Sequence, residues 1–241
     1  MRRTTSMICL LVSLQGLNAR GQAPEKSSAA PAEPARKGSS GKDESARQEA
    51  FRAALKVIEA SNVKNDILAA METLRGGFPG SAPVLIEGIA KGNSRGQAFA
   101  IQVLGENGSA ASHTKVLVPC LRSSSVRVRL AASMAIRRLG KAEGGLAAIL
   151  EYLPTETDAN NRKMAVKTLQ EWRDTAALPV LAEILKSEKD KGVRNFLSRA
   201  LEVMTGESHG DDAEAWQACL ERRALHEQAK SLIDNGKKVK S

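Results

Sequence analysis

The sequence predicts an all-α fold in which helical hairpins stack into a solenoid from about residue 50 onward, and three observations predict it. An apolar helix pattern recurs at a step of 32 residues: Leu85, Leu117, Ile149 and Leu181 superpose, with Ile89, Leu121, Leu153 and Leu185 one helical turn later. The alternation of β-branched with polar residues that marks strands is hard to find anywhere, while Gly and Pro cluster at intervals. The chain is 42% apolar over 241 residues yet holds only four Phe, two Trp and one Tyr, so its core is built of Leu, Ile, Val and Ala. Such a core suits thin, repetitive helix packing.

Residues 1–23 read as an export signal. Arg2 and Arg3 give a basic start, Ile8 to Leu14 a short apolar run, and Gly21-Gln22-Ala23 a cleavage site, with cutting expected after Ala23. The apolar run is shorter than the roughly 20 residues a spanning helix needs, so no transmembrane span is expected in the mature chain. The protein is expected to be exported, to a periplasm or outside the cell. Residues 24–49 hold Pro24, Pro31 and Pro34 among small and charged residues, five basic and five acidic. With no large apolar side chain to bury, this segment is expected to be a disordered tether.

The repeats occupy residues 50–210. The most regular second helix runs Val128-Arg129, Ala132, Ala135-Ile136, Leu139-Gly140. Arg162, Ala165-Val166, Leu169 and Trp172 repeat it, as do Val193-Arg194, Ala200-Leu201 and Met204. Weaker copies are Val63-Lys64, Ala70-Met71, Leu74 and Ala98, Ala100-Ile101, Leu104-Gly105. This pattern resembles the Val-Arg, Ala-Ala, Ala-Leu, Leu-Gly signature of the second helix in HEAT-like repeats, over residues 50–205 and five copies. The resemblance implies an all-α, right-handed α-solenoid of about five HEAT-like helical hairpins with a C-terminal capping helix. A hairpin cannot cover its own apolar face, so each buries that face on its neighbours and the core runs the length of the stack. Gly76-Gly77, Gly105, Gly140 and Gly206 are expected to end second helices. Pro83 and Pro179 fall near first-helix starts, Pro119 inside a first helix that it should kink, and Ser125 near an N-cap.

Residues 211–235 are expected to form the closing helix, with Asp211 and Glu214 in a capping arrangement and Trp216, Cys219 and Leu220 as its apolar face. The Thr205-Gly206, Gly210, Asp211 and Trp216 run resembles the endings of many bacterial HEAT-like proteins, with His209 where an aromatic is usual. Residues 236–241 form a basic tail.

Nothing in the sequence names a reaction. Cys120 and Cys219 lie about three repeats apart, too far for a disulfide at 8–10 Å per packed helix, and both read as small buried apolar residues. His113, His209 and His226 lack a metal-ligand spacing, no glycine-rich phosphate loop follows a strand, and no Ser or Cys sits in a nucleophile signature. No catalytic residue, cofactor or metal is therefore assigned. An enzyme of the HEAT-like lyase type is the remote alternative.

Charge narrows the partners. Of the formal +9, the signal carries +3, the tether zero and the tail +3, leaving +3 on residues 50–235, too little for a dedicated nucleic-acid protein. Lys64, Arg129, Arg162 and Arg194 are read as one second-helix position in successive repeats, broken by Ser94. By family resemblance that position hydrogen-bonds neighbouring loops, and the competing reading is a basic stripe for a polyanion. Arg137 and Arg138 fall on the second-helix face away from the core by the 3.6-residue period. Arg129, Arg137, Arg138, Arg162 and Arg194 are the candidate partner-binding residues of a monomeric scaffold for an unidentified protein.

Overall fold

The computed structural model describes residues 41–141 and 144–238. The signal over 1–23, the tether as far as residue 40 and the end of the basic tail lie outside them. Among the described residues every regular element is helical: α1 (Gly41–Ala60), α2 (Lys64–Gly76), α3 (Ala82–Lys91), α4 (Ser94–Asn107), α5 (Ala110–Leu117), α6 (Val126–Leu139), α7 (Gly145–Tyr152), α8 (Ala159–Trp172), α9 (Ala177–Ser187), α10 (Lys191–Thr205) and α11 (Ala213–Lys238). The first ten form five hairpins, each packed on the next. Second helices stack in the order α4, α6, α8, α10, and α11 closes the series against α9.

The 32-residue anchors carry the core. Leu85, Leu117, Ile149 and Leu181 are all completely enclosed, as are Leu153 and Leu185. The apolar interior divides into one cluster around α1 to α4 and a longer one from Ile101 to Cys219. Leu139 is only half-buried at the end of α6, and Cys120 is half-buried where Cys219 is fully enclosed. The N-caps repeat with the core: Asn93, Ser125, Asp158 and Asp190 each precede a second helix. Asn93, Asp158 and Asp190 accept hydrogen bonds from backbone N–H groups of the following first turn. Ser125 holds the position without such a bond.

The boundaries differ from the sequence expectation in three places. Helix α1 begins at Gly41, inside the segment read as a tether over 24–49. Residues 42–50 contain no Pro or Gly, so the helix anchored by Phe51, Ala54, Leu55 and Ile58 extends back through them at little cost. At the other end the cap of α11 is Asp212, whose Oδ1 accepts from the N–H groups of Glu214 and Ala215, while Asp211 turns to Arg194. Helix α11 also runs to Lys238, into the segment read as a tail. Pro119 acts as expected: α5 stops at Leu117 and continues as a 3-10 helix over Val118–Arg122, and Pro154 repeats the device over Leu153–Thr155.

Glycine plays two separate parts. Gly140 and Gly206 end α6 and α10 with φ of 99° and 80°, as expected of helix terminators. Gly105, expected to end its helix in the same way, lies within α4. A Cβ there would meet the Cβ of Ala135 at 2.5 Å and its Cα at 2.6 Å, so this glycine sets the distance of closest approach between α4 and α6. Because the obstructing atoms include α6 backbone, Gly105→Ala is expected to cost about 1–3 kcal/mol, read as a lower midpoint in urea. A midpoint equal to that of the parent would show that the two helices separate freely.

Candidate functional site

The second-helix arginines form a ladder. Arg129 donates through Nε and Nη2 to both carboxylate oxygens of Glu156, at 2.8 and 2.7 Å, and through Nη1 to the Ser123 and Ser124 carbonyls. Arg162 donates likewise to Glu188 at 2.8 and 3.1 Å and to the Thr157 carbonyl. Arg194 donates to Asp211 and to the Leu185 and Glu188 carbonyls. Each guanidinium thus clamps the loop of its own hairpin and a carboxylate that follows in the chain. These forked, charge-assisted bonds are the strong kind.

The ladder corrects the stripe. Arg129, Arg162 and Arg194 share the position four residues after the N-cap, and in α4 that position is Gln97, which donates to the Ile89 carbonyl, and not Ser94. Lys64 is the first residue of α2 and lies outside the series. With their donors committed to loops and carboxylates, the three arginines have little left to offer a polyanion or a partner. Arg137 and Arg138 are also paired, Arg137 with Glu171 at 2.9 Å and Arg138 with Glu106 at 3.3 Å, but Arg138 stays largely exposed.

The Glu156 rung is the most enclosed. Its carboxylate has no exposed surface, and besides Arg129 it accepts from the Tyr152 hydroxyl, from Asn161 Nδ2 at 3.1 Å and from the Asp158 N–H at 2.8 Å. Burial pushes its carboxyl up, but these donors, Arg129 foremost, outweigh it and hold the group well below the usual carboxylate range. Burial, and then the neighbouring carboxylate, push the Tyr152 phenol up.

Arg138 belongs to a different feature. A groove of about 370 Å³ crosses the faces of α2, α4 and α6. Ile67, Met71, Phe99, Leu130 and Met134 make its apolar floor, and Arg95, Arg127 and Arg138 stand along it. Arg95 is anchored to the Ser61 carbonyl at 2.8 Å, whereas Arg127 is exposed and makes no ion pair among the described residues. Two methionines in the floor suit a surface that adapts to its occupant. Sequence reasoning had Arg138 but missed the groove, because its lining comes from three hairpins and follows no single helical period. A depression of about 810 Å³ between the loops of the last two hairpins is larger, but its one arginine, Arg162, is already paired with Glu188 in the same wall.

Beyond the ladder, the turn after α10 brings together Glu207, His209 and Cys219, whose ligand atoms all lie within 4.8 Å of one another. His209 Nε2 is 3.2 Å from Glu207 Oε2, and the Cys219 thiol and the His209 ring hold the Glu207 carboxyl below its ordinary range. Both histidine and cysteine were visible in the sequence as separate residues. Their meeting depends on a turn with positive φ at Gly206 and Gly210, which returns the chain onto the start of α11.

Residues 114–202 match a family described as HEAT repeats, which covers most of the third hairpin, the fourth and most of the fifth. Over that stretch the chain is similar to HEAT repeats, and α4 of the preceding hairpin joins the same stack of second helices. No curated protein matches the chain.

Proposed function

Taking the HEAT-like repeats as premise, we propose that this chain is a non-catalytic scaffold that binds a segment of a partner protein in the α2/α4/α6 groove. HEAT repeats generally serve protein interaction and are typically non-enzymatic. The groove carries the reading: an apolar floor flanked by guanidinium groups suits an amphipathic segment whose apolar residues enter and whose carboxylates meet Arg127 and Arg138. The exposed flank of α6 thereby keeps one of the two arginines read as partner-facing, Arg138. On the same proposal the basic start and the Gly21-Gln22-Ala23 site send the protein out of the cytoplasm, where it works as a monomeric adaptor.

A photo-crosslinking residue placed at Met134 is expected to capture acidic, apolar peptides from a displayed library, and the same residue at Glu87 on α3 is not. Arg127→Glu should weaken the captured peptides at least about fivefold, ~1 kcal/mol, with an unchanged thermal midpoint, since Arg127 is exposed. Equal capture at both positions, or indifference to Arg127→Glu, would remove the groove as the binding surface.

A further inference from the structure

We infer that Glu207, His209 and Cys219 form a binding site for a single divalent transition-metal ion of the zinc type, with one coordination position left open. The three residues supply the carboxylate oxygen, imidazole nitrogen and thiolate sulfur that such ions take, and their ligand atoms lie within 4.8 Å of one another. A tetrahedral ion with bonds of about 2.0–2.3 Å separates its ligand atoms by roughly 3.3–3.7 Å. The His209 to Glu207 pair is already at 3.2 Å, so at most about one ångström of side-chain rotation closes the set.

The surroundings are built to hold these groups. Cys219 is completely enclosed within the first turns of α11. The His209 ring stands edge-on against Trp216, with centroids 4.7 Å apart and planes at 90°, and the Trp216 indole is itself fixed to the Gly210 carbonyl at 2.8 Å. The Glu207 N–H is held by Thr205 Oγ1 at 3.1 Å. Such supporting contacts orient metal ligands in general.

A second observation points to the open position. Glu207 and Cys219 form part of the wall of a cavity of about 670 Å³, which Arg222, Arg223 and His226 also line. Arg222 and Arg223 approach the Glu207 carboxylate at 3.8 and 3.6 Å. A bound dication with one thiolate and one carboxylate is neutral, so Arg222 and Arg223, set against the one further carboxylate Glu227, leave a net positive pocket around the fourth position. That position is accordingly suited to an anion, such as chloride or a carboxylate. The arginines also oppose the cation, which places the affinity below that of a closed structural zinc site.

On binding, the Cys219 thiol gives up its proton to solvent and coordinates the ion as thiolate, and no redox change is involved. The test uses the full chain in reduced form with Co²⁺ as the probe, because a cobalt–thiolate bond gives a charge-transfer absorption in the near ultraviolet. In a Cys9→Ser/Cys120→Ser background only Cys219 can supply that absorption. One equivalent of Co²⁺ should produce the band with visible absorption of four-coordinate intensity, and one equivalent of Zn²⁺ should abolish both. His209→Asn and Glu207→Gln, both at least partly exposed positions, should each weaken binding about tenfold or more, with circular dichroism unchanged. Absence of the band at one equivalent, binding above one equivalent, or titrations unaffected by His209→Asn would each overturn the assignment. So would a band that survives the further change Cys219→Ser.

Discussion

Glu156→Ala is expected to destabilise the protein by about 3–5 kcal/mol, because it breaks a buried ion pair from one side. The change removes a carboxylate with no exposed surface and leaves the Arg129 guanidinium, 13% exposed, without its charged partner. It also strips the acceptor from Tyr152, Asn161 and the Asp158 N–H. The loss thus reflects orphaned donors more than the pair's own attraction, so Glu156→Ala combined with Arg129→Met should recover part of it. Urea denaturation of the single and double variants measures this, and a double variant no better than the single would contradict the account.

The same rung gives stability an acid limb. In the unfolded chain Glu156 takes up a proton near its ordinary value of 4.5, and in the folded protein only at lower pH. Between the two the unfolded state holds the extra proton, so the stabilisation is fully present above about 4.5 and fades as pH falls through the folded value. Glu156→Gln should flatten this limb while lowering stability at neutral pH. An unchanged slope below pH 4.5 would mean that the carboxylate is not held as the geometry indicates.

Trp216→Ala is the second large effect expected, about 3–5 kcal/mol. The indole is wholly enclosed at the end of the longer apolar cluster, and its N–H donates to Gly210. Helix α11 packs on α9, so losing its anchor uncovers the last hairpin while the second to fourth keep both neighbours. Leu225, nine residues further along α11 and 66% exposed, provides the contrast: Leu225→Ala should stay within about 0.5 kcal/mol. Thermal melts followed by circular dichroism separate the two, and comparable losses would mean that the outer half of α11 is packed.

What the sequence disclosed and what it concealed divide along a physical line. Periodic burial was legible, because Leu85, Leu117, Ile149 and Leu181 repeat at one step and each is fully enclosed. The arginines of the ladder were legible through the same repetition. Their carboxylates were not, since Glu156 and Glu188 lie 27 and 26 residues beyond the arginines they bind, in the next hairpin. Gly105 was read as a helix terminator because its neighbours in the pattern are terminators, and only the proximity of Ala135 reveals its part. The groove and the Glu207, His209, Cys219 cluster depend on which residues meet across elements, a property that no local spacing encodes.

The ladder also gives the stack a direction, much as coupling chemistry gives one to a polymer. Each unit from α5 to α10 presents a guanidinium to the following unit, and those after the first receive one through a carboxylate between their own two helices. Glu156 and Glu188 are 32 residues apart, as are Arg162 and Arg194. Gain or loss of one such module would therefore leave every guanidinium matched. Asp211 accepts the guanidinium of Arg194 from the loop that leads into α11, whereas the first carboxylates come from loops between paired helices. At the other end, Gln97 and Ser124 stand at the positions of arginine and carboxylate by the same step, so the ladder has no charged rung between the second and third units. The units from α5 to α10 are thus a short directional series, preceded by two units of a different linkage.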